Sequence, residues 1–368
     1  MSKKWYTITF LVILFLIPVL HVSGKDKDFS ELENRTLAQS PSFNKEAVLD
    51  GSFGKEVECY MADQFPFRNQ FLSVKLAAEL IMGKTESNGV FLGKEGQLLQ
   101  NFENPDLKLL EKNAGYMNAL GKEVKTWFLL APTATSIYKE RLPLLASTYS
   151  EEQYINMTEE LLSKDISFVD VQPILEEHKD EYIYYKTDHH WTTLGAFYAY
   201  ERLCDKMGLE PKKLSDFTRE QIEGFYGSLY SAGNVTFAKP DTLELFYPKE
   251  PVSVKIENMA EGSVSDSLYE KSYLEKKDKY SVFLNNNQPL LVIHSSVKNG
   301  KKLLIAKDSY ANCLIPFLTA HFEEIHVLDL RYLNFSVKDY ALQNGIEEVL
   351  LLYNVQSFAA DTKLSLLQ

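Results

Sequence analysis

From Lys302 to the C-terminal region, apolar runs alternate with helix-like segments, and this alternation restricts the fold more than any other feature of the chain. Residues 302–306, 325–330 and 347–353 read as strands, and 310–322 and 336–344 as helices. Strand and helix in regular succession argue for a parallel sheet covered by helices on both faces. The same rhythm begins earlier. Residues 125–131 read as a buried strand stopped by Pro132, 151–164 as a helix and 166–171 as a second strand. A helix then runs from Thr192 to about Met207 and stops at Gly208, a residue suited to a left-handed C-cap. Residues 209–300 differ, with short alternating runs such as 252–256 between charge-rich turns, and read as a β-rich insertion. Upstream, 51–84 read as helices broken around Pro66, 90–92 as a strand followed by a tight turn, and 105–121 as a helix.

The organisation expected is therefore a hydrophobic segment at 1–24, a lead-in of linker and helices at 25–87, and an α/β domain at 88–368 with its insertion at about 209–300. Hydrophobic residues make up 45% and charged residues 24% of the 368, which places the chain among globular proteins. A formal net charge of −12 disfavours nucleic acid as a partner. The three cysteines, Cys59, Cys204 and Cys313, have no metal-like spacing and are odd in number, so they form no complete disulfide framework. No phosphate-cradling glycine loop and no zinc pattern is present, and no cofactor is expected. At the N-terminus, Lys3 and Lys4 precede an uncharged stretch from Trp5 to Gly24, and Lys25-Asp26-Lys27-Asp28 follow. The stretch is about long enough to span a bilayer, as a signal anchor or a cleaved signal peptide. The two lysines would stay cytoplasmic and leave the rest of the chain outside the membrane.

Two short stretches carry the chemistry. Asp188-His189-His190-Trp191 places one carboxylate, two imidazoles and an indole in four positions before a helix. Lys307-Asp308-Ser309-Tyr310 closes the strand at 302–306. In an open parallel sheet, function gathers at the carboxyl ends of strands. Asp188 there accepts a hydrogen bond from one ring nitrogen of His190, and the other nitrogen serves as base toward Ser309, the parts of a serine acyl-transfer triad. His189 would serve structure or substrate. Other readings remain open at this point. Asp308 and Ser309 suit a plain helix cap, Asp188, His189 and His190 could share a metal ion, and the histidine loop could be structural. Asn354 and Arg331 follow strands of the same sheet, so each is a candidate for the oxyanion or substrate site. Trp191 either stacks on a sugar or packs beneath the triad.

Asp188-His189-His190-Trp191 is also the signature of the DHHW protein family, which this sequence resembles over nearly its whole length. Supporting stretches are Glu33-Asn34-Arg35, Asp63-Gln64-Phe65-Pro66-Phe67-Arg68, Ala131-Pro132-Thr133-Ala134, Phe225-Tyr226-Gly227-Ser228, Lys307-Asp308-Ser309-Tyr310 and Asp329-Leu330-Arg331-Tyr332. The family is similar to the SGNH-hydrolase-like domains of extracytoplasmic alginate O-acetyltransferases. That resemblance implies a circularly permuted, flavodoxin-like α/β sheet, with Ser309 as nucleophile, His190 as base and Asp188 as its orienter. It also implies that Tyr226, Ser228 and Tyr310 lie at the cleft. The chain departs from the alginate enzymes at Lys307, where they have glycine, and at Ala134, where they often have lysine. The implied activity is O-acetyl transfer to a cell-surface polysaccharide, with acyl groups from a membrane-bound O-acyltransferase-type partner. An esterase using the same triad, or a non-catalytic polysaccharide-binding scaffold, are the alternatives.

Overall fold

The computed structural model describes residues 3–368. It divides into two compact units, one comprising the residues up to Ser87 with Ser231–Phe237, the other Asn88–Tyr230 with Ala238–Gln368.

The second unit is built on one sheet of eight strands. In chain order they are β1 (Lys125–Ala131), β2 (Ile166–Val169), β3 (Val254–Asn258), β4 (Ser263–Ser265), β5 (Leu290–Ser295), β6 (Lys302–Lys307), β7 (Glu324–Leu328) and β8 (Glu348–Asn354). Their order across the sheet is β4-β3-β5-β7-β6-β8-β1-β2. From β7 to β2 the five strands are parallel. Alternate residues of β6 and β8 enter two different cores. Leu303, Ile305, Leu350 and Leu352 face one, with Phe197 and Leu203 of the helix Thr193–Met207. Leu304, Val349 and Leu351 face the other, with Leu110 and Met117 of the helix Leu107–Gly121. Burial on both faces is why these strands read as unbroken apolar runs. Truncating one such side chain, Leu351→Ala for instance, costs about 2–5 kcal/mol.

The stretch 209–300 is rich in strands, in two parts. Its first part is an antiparallel hairpin, Phe217–Phe225 with Asp241–Pro248, with a bulge between Ile222 and Phe225. In its remainder, β5 pairs antiparallel onto β7, β3 onto β5 and β4 onto β3, so these strands extend the central sheet. The sheet is thus mixed, with a parallel body and an antiparallel edge. The helix expected over 310–322 is reduced. A 3₁₀ turn, Ser309–Cys313, precedes a four-residue helix, Ile315–Leu318. Pro316 lacks a backbone N–H and crowds the preceding turn, so a helix begun at 310 cannot continue through it, whereas the first turn of Ile315–Leu318 tolerates it.

In the first unit, an apolar helix, Lys3–Ser23, has the length and composition to cross a membrane and is not buried in the protein. The helices Ser52–Asp63 and Arg68–Ile81 follow. Arg35 donates to both Asp63 oxygens at 2.8 and 2.6 Å, and Arg68 pairs with Glu33. Gln64 bonds both backbone groups of Lys27, at 3.0 and 2.9 Å. The Glu33–Arg35 and Asp63–Arg68 stretches are therefore one polar tie within this unit.

Candidate active site

The loop carrying Asp188 is held in place before it makes any triad contact. Asp241, at the start of the second hairpin strand, accepts from Tyr182 Oη (2.5 Å) and from the backbone N–H groups of Lys186 (2.8 Å) and Thr187 (2.7 Å). A bridge between Tyr184 and Trp191 closes the loop, and Thr192 caps the helix Thr193–Met207. Within it, Asp188 Oδ1 accepts from the His190 N–H at 2.9 Å and lies 2.5 Å from His190 Nδ1. The second oxygen, Oδ2, accepts from the Ser228 N–H at 2.7 Å. Gly227 lets that backbone come so near, since a Cβ there would lie 2.1 Å from the Asp188 Cβ.

Ser309 opens the 3₁₀ turn at the carboxyl end of β6, and its Oγ lies 2.7 Å from His190 Nε2. Because an ionised Asp188 can only accept, His190 Nδ1 carries the proton and Nε2 is left to accept from the serine hydroxyl. The cap reading describes Asp308, not Ser309. Asp308 Oδ1 accepts from the Tyr310 N–H at 2.8 Å, and Oδ2 from the backbone and side chain of Asn354 at 2.8 and 2.6 Å. Three further side chains clamp the segments together. Tyr280 stacks on His190, with centroids 3.8 Å apart and planes at 9°, and donates to the Ser309 carbonyl at 3.0 Å. Trp191 Nε1 donates to the Tyr310 carbonyl at 2.9 Å, and Tyr310 Oη donates to the His189 carbonyl.

Burial would raise the Asp188 carboxyl, but the neighbouring His190 and His189, with the bonds from His190 and Ser228, outweigh it and hold the group well below the usual carboxylate range. Burial, reinforced by the neighbouring His190, depresses His189 to about 4, so this imidazole is neutral near pH 7. Burial raises Asp308.

The remaining candidates fall in different places. His189 is half-buried beside His190, its Nδ1 2.5 Å from Ser228 Oγ. Trp191 and Tyr310 are fully buried and pack beneath the triad. Tyr226 packs on Tyr230, next in sequence to the Gly227–Ser228 backbone that holds Asp188. Asn354 is no oxyanion donor: both its amide hydrogens are engaged, by Asp308 at 2.6 Å and Ser357 at 2.7 Å, while its Oδ1 caps the following helix. Arg331 is also committed, donating to Asp329 through Nε at 2.8 Å and Nη2 at 2.5 Å. Arg331 lines a cleft of about 360 Å³ with Lys307, Asp329 and Asp361, which includes no member of the triad. Lys307 itself is buried, 2.7 Å from Asn287 Oδ1 and 3.7 Å from Asp329, and burial lowers it to about 8. Asp188, His189 and His190 have potential ligand atoms within 4.8 Å of one another, but those of Asp188 and His190 already bind each other and His189 Nδ1 binds Ser228. A metal ion there would have to break the triad's own contacts. Sequence reasoning missed Tyr280, Asp241 and Asn287, which lie among charged or polar neighbours with no local pattern to single them out.

The DHHW protein model matches residues 121–328, more than half of the chain. Among solved structures, a DHHW family protein from Eubacterium siraeum shares 29% identity, with 76% of this chain and 95% of that one covered and a TM-score of 0.66. Bacillus cereus PatB1 shares 24% over 73% of this chain and 96% of its own, with a TM-score of 0.62. The O-acetyltransferase domain of Pseudomonas putida AlgJ shares 14% over 76% and 95%, with a TM-score of 0.49. None of the curated proteins matches. The fold is SGNH-hydrolase-like, a central α/β sheet with helices on both faces. A matching family model, the Asp188–Trp191 signature and the shared fold together establish that this chain belongs to the DHHW protein family.

Proposed function

We infer that this protein is a serine-dependent O-acyltransferase, most simply an O-acetyltransferase, that modifies a cell-surface polysaccharide outside the cytoplasm. The observation that carries the reading is the unbroken hydrogen-bond chain from Asp188 through His190 to Ser309, at 2.5 and 2.7 Å. In this reading, Ser309 Oγ attacks the acyl carbonyl carbon as its proton passes to His190 Nε2. The tetrahedral oxyanion is met by the Ser309 N–H, which opens a turn and so has no partner within it. The intermediate collapses, the leaving group takes the proton from His190, and an ester remains on Ser309. A sugar hydroxyl then attacks that ester, giving its proton to His190, and Ser309 regains a proton as the acyl group departs. Asp188 keeps His190 in the tautomer that both half-reactions need. The acyl donor comes from a membrane-bound O-acyltransferase-type partner, and residues 1–24 hold the domain at the membrane beside it. In this organisation 25–87 is the lead-in and 88–368 the catalytic domain.

The test is acetyl release from 4-nitrophenyl acetate by the full chain in detergent, alongside Ser309→Ala and His190→Ala. Turnover by the parent and background rates in both variants support the triad. Acetate release that polysaccharide does not divert into glycan ester makes the protein an esterase, with water as acceptor. A folded parent that matches the buffer blank, and binds polysaccharide as well after Ser309→Ala, makes it a binding protein.

A further inference from the structure

The helix Arg68–Ile81 is apolar on two opposite faces. Leu72, Leu76 and Leu80 share one, and Leu76 is buried. Phe67, Phe71, Val74, Ala78 and Ile81 recur at the spacing of a single helical stripe on the other. That stripe is open: Phe67 is 62% exposed, Phe71 54%, Val74 65% and Ile81 87%. Such a row of large apolar side chains in one place marks an interaction surface. Phe67 adds a second sign. It holds a left-handed backbone at φ 58°, which is costly for a bulky residue, and still displays its ring outward.

The position of the stripe indicates what covers it. A cavity of about 720 Å³ is lined by Leu20, His21 and Gly24, from the end of the apolar helix, and by Pro66, Phe67 and Arg68, from the start of this one. The ring of His21 also meets Tyr60 edge-on at 5.5 Å. The open stripe therefore begins where the candidate membrane span ends. The helix carries only Arg68, Lys75 and Glu79 as charges, so apolar insertion rather than attraction to anionic lipid would hold it.

We propose that the Phe67–Ile81 stripe lies in the headgroup–acyl boundary of the bilayer, as an interfacial helix that fixes the first unit against the membrane surface. This rests on reading Lys3–Ser23 as a membrane span. Interfacial helices of this kind bury their apolar face by about 5–10 Å.

The test uses the full chain reconstituted in phosphatidylcholine vesicles, with Cys59→Ser removing the exposed thiol. An environment-sensitive fluorophore is placed at Val74→Cys, at Ile81→Cys, or at Glu56→Cys on the helix Ser52–Asp63 as control. Circular dichroism matching the parent keeps each labelled chain interpretable, and two stripe positions guard against one misfolding. The expected result is blue-shifted emission at 74 and 81, quenched by nitroxide lipids, and aqueous emission at 56. Flotation with the vesicles while the stripe labels stay aqueous overturns the proposal and leaves the span intact. Failure to float overturns the span, and the proposal with it. Blue-shifted labels that lipid nitroxides do not quench, in chains that crosslink as pairs, assign the stripe to a second copy and overturn the proposal.

Discussion

Asp308 and Ser309 are neighbours in the chain, yet they belong to two clusters that behave oppositely. Around Asp308 every valence is closed: Tyr310 and Asn354 fill both of its oxygens, and Ser357 takes the remaining hydrogen of Asn354. Around Ser309 the chain of bonds runs from a braced carboxylate to an imidazole and stops at a half-buried hydroxyl. A satisfied buried network rigidifies a fold. A hydrogen-bond chain that ends in a reachable hydroxyl is arranged to pass on a proton. The difference teaches that residue type alone does not separate scaffold from chemistry at a strand end.

Mutagenesis can sharpen or break this contrast. Ser309→Ala is expected to cut acyl turnover by about 10⁴-fold or more while leaving the unfolding midpoint unchanged. Asp308→Ala should do the reverse in kind. It leaves buried N–H groups of Tyr310 and Asn354 unpaired, and urea denaturation should register a loss of about 3 kcal/mol. Equal effects of the two on both readouts would erase the distinction. Asp188→Asn reaches the reacting cluster through its orienter, and kcat should fall by about 10⁴-fold because His190 takes the wrong tautomer. A smaller loss, on the order of 10²-fold, is expected for Gly227→Ala, whose Cβ displaces the Asp188 carboxylate.

The smallest effect belongs to the closed side and depends on pH. Lys307 sits at about 8 in the folded protein against an ordinary value of 10.5. The unfolded chain therefore binds more protons between those values, and stability rises with pH across that window. Below about 8 the cost of the buried charge is present in full. Lys307→Met should flatten the rise in denaturation midpoint from about pH 8 to about 10.5. An unchanged slope would show that another group titrates there.

The parallel body was legible because β6, β7 and β8 are buried on both faces, so their sequences are nearly all apolar and punctuated by helices. The edge was not. β3 alternates like any half-exposed strand and β5 is a short apolar run, and nothing in either states which neighbour it pairs with. Within the site, the sequence placed Asp188 and His190 two positions apart, close enough for a local pattern to reveal them. Asn354 and Arg331 stand correctly at strand ends, but their hydrogens are claimed by partners, Asp308 and Asp329, that only the folded chain brings near. Tyr280 lies among Lys277, Asp278 and Lys279, and its stacking on His190 has no signature in that context.

The Ser228 N–H and the Asp241 carboxylate both come from the hairpin region, and both act on the loop that holds the base. Asp188, His190 and Ser309 all lie outside that region, so a shortened protein lacking it would retain every member of the proposed triad. It would nonetheless lose the means of aiming them, because the carboxylate would surrender one of its two fixed donors and its loop would lose its footing. The working unit of the proposed enzyme is therefore larger than its set of reactive atoms, and trimming this chain to its signature residues would misalign the proposed triad before removing any member of it.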